Sequence, residues 1–358
     1  MQGHYTRPVE NDFIGMSIHR VASHAGVSPA TVSRAFNAPH LVASATLARV
    51  LESADALSFV PNASARTLRT QRSRSLGVVL PTLLNPVFAE CLEGIAERAR
   101  AAGHAIVPLV TEYRTALERE AIEHLMARSV DGVILTVASA GRCASLGRLR
   151  QGRVPYVLAY NRHRGQPCVS VDGEAACAEI VRWLVGLGHR RIAMVSGTLS
   201  ASDRARQRHR GFARAMVAAG LAQAELIEVP FMQAATQALT ERLRRANRPT
   251  ALLCSNDLLA LRSLRAAALA GLRVPQQLSV VGFDGIALGE ELSPQLSTVV
   301  QPSREIGERC VDWLLTSLAA GTAPGPESSL SLPYRIRAGE SCAAPPARSS
   351  STPTRSTA

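Results

Sequence analysis

Residues 18–37 read IHRVASHAGVSPATVSRAFN, and residues 59–74 read FVPNASARTLRTQRSR. The first run has the spacing of a helix-turn-helix. Ala22 is small where a second helix must cross close to the first, and Gly26 falls at a turn position that needs positive φ. Val32 faces a small core from inside the second helix. Ser28 followed by Pro29 predicts an N-cap and then a proline at the first helical position. A helix started this way can lie in a DNA major groove. The second run predicts a short basic helix, with Leu68 alone among Arg66, Arg69, Arg72 and Arg74.

Outward from this stretch, residues 1–16 read as a flexible leader, with Met16 as a second candidate start. Residues 17–61 predict three short helices, at about Ile18–Ala25, Pro29–Phe36 and Ser44–Leu57. The third presents Leu47, Val50, Leu51 and Leu57 as its inward face. Residues 62–74 form a hinge whose few apolar groups and like charges leave it unfolded on its own. From Ser75 the texture changes. Apolar runs such as LGVVLP, HAIVPLV, DGVILTV, VPYVLAY, RIAMVS, ALLCSN and LSVVGF predict strands. Helical patterns separate them, including Ala175–Gly186, Arg206–Ala219, Ala234–Arg245 and Leu258–Ala270. Alternation of this kind means parallel sheets covered on both faces. There are too many units for one compact sheet, so two doubly wound subdomains with a cleft between them are expected. Subdomain 1 takes about 75–171 and 302–333, and subdomain 2 about 172–301 and 334–340. The segment 341–358, CAAPPARSSSTPTRSTA after Ser341, is rich in Pro, Ser and Thr and reads as a disordered tail.

The 358 residues suffice for two or three domains with a buried core. The net charge is +12, and all 40 basic residues are arginine. Four of them fall between Asn62 and Ser75 without an acid. A basic balance favours an anionic partner. The seven cysteines are scattered without a CxxC pair, which suits a reducing, cytoplasmic setting and suggests neither zinc nor a redox motif. No apolar signal segment opens the chain and no run long enough to span a membrane follows.

The run VASHAGVSPATVSRAFN resembles the LacI-type repressor family, which includes the lactose, purine and ribose repressors. So do VPNASARTLR, LGVVLPTLLNPVFAECLEGI, VDGVIL, LGHRRIAMVSG, NDLLAL, GLRVPQQLSVVGFD and PQLSTVVQP, in that order. The resemblance covers roughly Ser17 to Gly339. It implies an all-α helix-turn-helix head followed by a periplasmic-binding-protein-like α/β core. The function it implies is a transcriptional regulator, a repressor, that binds near-palindromic double-stranded operator DNA as a homodimer. A small polar metabolite, a sugar or sugar acid, would bind between the lobes as effector.

On this reading Pro29 and Ala30 meet bases through apolar contact alone, and Arg34 can pair with guanine through two hydrogen bonds. Ser28, Thr31, Ser33 and Asn37 suit phosphate contacts or local capping. In the hinge the resemblance makes Leu68 a wedge into the minor groove, flanked by Arg69; the alternative is a core leucine of the third helix. Two departures from the family pattern stand in the head. Ala43 replaces the usual Ser or Thr cap, which Ser44 can take over by a one-residue shift, and Ser58 replaces a turn glycine.

Effector residues are expected at the carboxyl ends of strands. By resemblance they are Thr82, Asn85, Phe88, Tyr160, Asn161, Arg208, Phe231, Asn256, Asp284 and Gln301. Arg208 and Asp284 would face each other across the cleft, unless Arg208 is solvated with Arg206 and Arg210, or Asp284 is only a turn residue before Gly285. Asp257 reads as the cap of the following helix, and Trp183 and Trp313 as core. Tyr160-Asn161 stands where relatives commonly carry Asp-Arg. No GxGxxG, GxSxG, P-loop or HExxH run and no metal spacing of histidines occurs, so no catalytic residue, cofactor or metal is expected. A periplasmic binding protein would share the two-lobed fold without the head.

Overall fold

The computed structural model describes residues 18–59, 72–221, 224–231, 236–323 and 325–346. The leader at 1–16, the hinge residues up to 71 with Leu68 and Arg69, and the tail beyond 346 lie outside the described residues. The chain divides into two compact units, residues 1–73 and 74–358.

Among the described residues the first unit contains three helices, α1 (Ile18–Ala25), α2 (Pro29–Asn37) and α3 (Ser44–Ala56). Val21, Ala22 and Ala25 of α1, Val32 and Ala35 of α2, and Val50 and Ala54 of α3 form the core. Gly26 makes the turn after α1 at φ +63°, with open space around it, so backbone conformation rather than packing selects glycine there. Two expectations for α3 fail. Leu51 is 42% exposed, because the inward stripe runs Leu47, Val50, Ala54, Leu57 at helical spacing and Leu51 lies off it. Ser53 is buried and its hydroxyl meets His24 Nδ1 at 3.0 Å. The N-cap position of α3 is Ala43, without a side-chain bond, and Ser44 lies inside the helix, so the cap does not shift to it. Ser58 adopts φ +48°, the left-handed turn usually given to glycine.

Among the described residues the second unit holds two sheets of six strands. The first contains β1 (Ser75–Leu80), β2 (Ala105–Val110), β3 (Gly132–Leu135), β4 (Tyr156–Ala159), β5 (Cys168–Val171) and β11 (Leu330–Leu332), ordered β11-β5-β4-β3-β1-β2. The second contains β6 (Ile192–Gly197), β7 (Glu225–Val229), β8 (Ala251–Cys254), β9 (Ser279–Asp284), β10 (Ser297–Val300) and β12 (Arg335–Arg337), ordered β12-β10-β9-β8-β6-β7. All pairings are parallel except β10 with β12. Alternate strand residues serve opposite faces. Thus Leu76, Val78 and Leu80 pack against α4 (Pro86–Ala101) and α11 (Ser303–Ala320), whereas Val79 packs against α5 (Thr115–Ala127) and α6 (Ser145–Gln151). In the second sheet Ile192 and Met194 meet α7 (Gly173–Gly186) and α8 (Asp203–Ala218). Ala193 and Val195 meet α9 (Thr236–Arg244) and α10 (Asp257–Leu269).

The chain passes between the lobes three times: after Val171, after Val300, and between β11 and β12. Helices α7 and α8 begin earlier than periodicity predicts because Asp172 and Ser202 cap them, accepting from Ala175 and Ala205 backbone N–H at 3.0 and 3.3 Å. The tail expected from Ser341 is ordered through Pro346. The Ser341 hydroxyl donates to Val280 O and accepts from Ser297 N, and His189 Nε2 lies 2.9 Å from Ala343 O. No helix among the described residues is long and apolar enough to cross a membrane.

Candidate functional site

In the head, Ser28 in extended backbone caps α2, its Oγ accepting from Thr31 N at 3.2 Å and lying 2.9 Å from Thr31 Oγ1. Asn37 Nδ2 donates to Ser33 O at 2.6 Å. Four of the seven expected α2-region residues, Ser28, Thr31, Ser33 and Asn37, are thus joined in local bonds that shape the helix. Pro29 is half-buried and Ala30 exposed on the first turn. Arg34 is exposed and makes no ion pair among the described residues, so its fork of donors is available to an acceptor outside the chain.

In the core, the strand orders reverse at β1/β3 and at β6/β8, where chain crossovers leave opposite faces of the sheet. Open α/β sheets bind ligands in the crevice beyond the carboxyl ends of such strands. The segments leaving these ends carry Asn85, Ser202, Ser255 and Asn256, and they line a narrow cleft between the two sheets. Eight of the ten expected effector residues line it: Asn85, Phe88, Tyr160, Arg208, Phe231, Asn256, Asp284 and Gln301.

Arg208 and Asp284 do face each other, Nη1 to Oδ1 at 3.5 Å. The Arg208 guanidinium lies 3.6 Å above the Phe283 ring and donates to the Ser255 carbonyl. Burial lowers the Arg208 pKa from its ordinary value, and Asp284 opposes the shift. Burial raises the Asp284 pKa, and Arg208 opposes that. Asp284 also accepts from Asn85 Nδ2 at 3.0 Å and Gln301 Nε2 at 2.9 Å, so one carboxylate gathers both lobes. Its backbone sits at φ +120°, a strained region for a residue with a side chain. The turn that holds it is fixed from below: Asp257 accepts from Gly285 N and Ile286 N, each at 2.8 Å, and from Thr298 Oγ1 at 2.6 Å. Burial and the neighbouring Asp284 push the Asp257 carboxyl up to about 7.

Three readings of the sequence need correction. Asn256, not Asp257, caps α10, its Oδ1 accepting from Leu259 N at 2.8 Å, while Asp257 is fully buried in the turn beneath the cleft. Thr82 does not line the cleft; its hydroxyl accepts from Leu84 N at 3.0 Å, holding the loop ahead of α4. Asn161 is fully buried beside the cleft rather than in it. Its amide bonds both Val137 N and Val137 O, and its Nδ2 reaches Asp203 Oδ1 at 2.7 Å. Tyr160 lines the cleft with its ring, edge-on to Phe88 at 5.5 Å, but its hydroxyl is spent on Val87 O.

Six cleft residues were not expected: Val87, Tyr113, Ser202, Arg204, Ala205 and Ser255. Arg204 was detectable, because it stands four residues before Arg208 and so shares its face of α8. Tyr113 follows β2 and stacks on Phe231 from the other lobe, centroids 4.7 Å apart and planes within 8°. No local signal announces such a pair. A second set of bonds joins the lobes at the start of α8. Asp203 donates its N–H to Ala138 O and accepts from Ala140 N and Asn161 Nδ2. Arg204 Nη1 donates to Val137 O at 2.8 Å.

The sequence pattern described as bacterial regulatory proteins, lacI family, matches residues 17–62, and the periplasmic binding protein-like domain matches residues 181–342. Catabolite control protein A of Priestia megaterium is 31% identical over 328 residues, covering 90% of this chain and 98% of that protein. The HTH-type transcriptional repressor PurR of Photobacterium profundum is 30% identical over 304 residues, covering 84% and 91%. Among solved structures, the Lac repressor dimer bound to operator and the anti-inducer ONPF superposes with a TM-score of 0.81. That match is at 27% identity and covers 92% of this chain and 100% of that one.

Proposed function

The chain belongs to the lacI family of bacterial regulatory proteins, a family of DNA-binding transcriptional regulators rather than enzymes, and on that premise we propose how its two units divide the work. The head, 17–61, reads operator DNA through the first turn of α2, with Arg34 as its hydrogen-bonding reader. The hinge, 62–74, orders in the minor groove with Leu68 as wedge and Arg69 on the backbone. The core, 75–340, binds a small polar effector between its lobes and pairs with a second copy, so the operator is near-palindromic. The chain acts in the cytoplasm and has no catalytic role.

The observation that carries this reading is the Arg208–Asp284 pair, buried in a cleft at two strand-order reversals. A charged pair joined to amides from both lobes binds tightly only when the lobes close around it, so effector affinity is linked to lobe geometry. The effect on operator affinity is bounded by the effector's differential affinity for the two lobe arrangements.

Titration of duplex retention against salt tests the DNA half: binding falls steeply as salt rises, since several phosphates are neutralised per subunit. A flat response rejects it. For the effector half, Arg208→Ala removes the response to the metabolite while duplex retention persists; an unchanged response rejects the cleft assignment.

A further inference from the structure

We propose that Arg204, Arg208 and the Ser255 hydroxyl form an anion subsite that takes the carboxylate of a hydroxylated organic acid. This deepens the reading of the cleft as an effector site and rests on it. The argument starts from donors and acceptors. An arginine carries five N–H donors and no acceptor. Among the described residues, Arg204 makes one hydrogen bond, to Val137 O, and Arg208 makes one, to Ser255 O. Both side chains are nearly buried, 8% and 11% exposed, and both line the cleft. Their spacing of four residues puts the two forks one helical turn apart on the same face of α8.

Ser255 adds an independent observation. It is 2% exposed, it lines the same cleft, and its Oγ has no hydrogen-bond partner among the described residues. Buried hydroxyls are nearly always bonded, so an orphan at the wall of a cleft marks a position where a ligand supplies the partner. The cleft thus holds a surplus of donors on one wall. The one carboxylate among the described lining residues, Asp284, is already engaged by Asn85, Gln301 and Arg208. An acceptor-only group with two oxygens matches that surplus, and each oxygen then accepts a charge-assisted bond.

Charge selects among such groups. Arg204 lies 3.7 Å from Asp203, and Arg208 lies 3.5 Å from Asp284; Glu118 is buried in the neighbouring lobe and accepts from Ala138 N. With these carboxylates near by, a dianionic phosphate meets more repulsion than a monoanionic carboxylate with the same donors. The amides of Asn85 and Gln301 and the carboxylate of Asp284, which line the same cleft, suit hydroxyl groups, which both donate and accept.

The test uses the purified full-length protein and three probe sets: four- to seven-carbon aldonic and uronic acids, their parent neutral sugars, and the matching sugar 6-phosphates. Calorimetry is expected to find at least one acid that binds roughly tenfold or more tightly than its neutral and phosphorylated counterparts. Ser255→Ala, which breaks no bond of the protein, then weakens that acid about tenfold. Arg204→Gln weakens it further, and Arg204→Lys recovers part of the loss by restoring charge without the fork. The proposal is overturned if no acid binds, if neutral sugars or phosphates bind as tightly as the acids, or if Ser255→Ala and Arg204→Gln leave acid affinity unchanged. Duplex retention by the same preparations separates the levels. Retention without an acid effect rejects this subsite alone, whereas failure to retain any duplex rejects the reading beneath it.

Discussion

Replacing Asp203 should loosen the lobes without unfolding them. Its carboxylate is 13% exposed and accepts from Asn161 Nδ2 at 2.7 Å and Ala140 N at 3.0 Å, both on the opposite lobe. A hydrogen bond to a charged group contributes about 1.5–3 kcal/mol, so two at the low end give about 3 kcal/mol in favour of the closed arrangement. That corresponds to a factor of roughly 150 in the ratio of closed to open lobes. Asp203→Asn is as damaging as Asp203→Ala, because two donors point at the two oxygens and an amide offers one oxygen and one donor. Small-angle scattering of the effector-free protein should show a larger radius of gyration for either variant. Effector and operator affinities should shift by no more than the same factor of about 150. Pairing Asp203→Ala with Asn161→Ala should give less than the sum of the single effects, by about 1 kcal/mol or more, because each single change already removes their shared bond. Wild-type scattering, together with effector and duplex affinities within twofold, would refute the claim that Asp203 clasps the lobes.

Three further outcomes are expected. Arg34→Ala should leave thermal unfolding within about 0.5 kcal/mol of the parent, because the side chain is exposed, while relaxing base preference at one operator position by about 1–3 kcal/mol in a competition assay. Gly211→Ala should destabilise the core by about 1–3 kcal/mol in denaturant unfolding, since a Cβ there lies 2.0 Å from Glu174 O where α8 crosses α7. His189 is buried, and burial lowers its pKa below the ordinary value, so the unfolded chain takes up a proton first as pH falls. The stability it contributes is therefore present above about pH 6.5 and is lost as pH falls below that value. Unfolding curves between pH 7.5 and 5 should decline less steeply for His189→Gln than for the parent; parallel curves would dismiss the histidine as the cause.

The corrections share a physical pattern. Periodicity located the helices because burial repeats every three to four residues, yet it placed Leu51 inward when the stripe passes beside it. Composition marked the segment after Ser341 as disordered, but its first residues are held by backbone and hydroxyl bonds to Gln295, Ser297, Val280 and Ser279, which composition does not encode. Asp257 follows Asn256, and either could cap α10 on sequence grounds. The choice fell to Asn256 because Gly285, Ile286 and Thr298, distant in the chain, already claim the neighbouring carboxylate.

What the amino-acid order determined alone was local and repetitive: a turn glycine between two short helices, Ser28 and Pro29 at a helix start, and apolar strands alternating with amphipathic helices. These depend on neighbours within one or two turns, so the chain itself carries them. Tertiary structure decided which groups share the cleft. Arg204 meets Val137, Asp203 meets Asn161, and Tyr113 meets Phe231 only after two sheets have closed over more than a hundred intervening residues in the last case. Packing brings such partners together, and no spacing along the sequence records it.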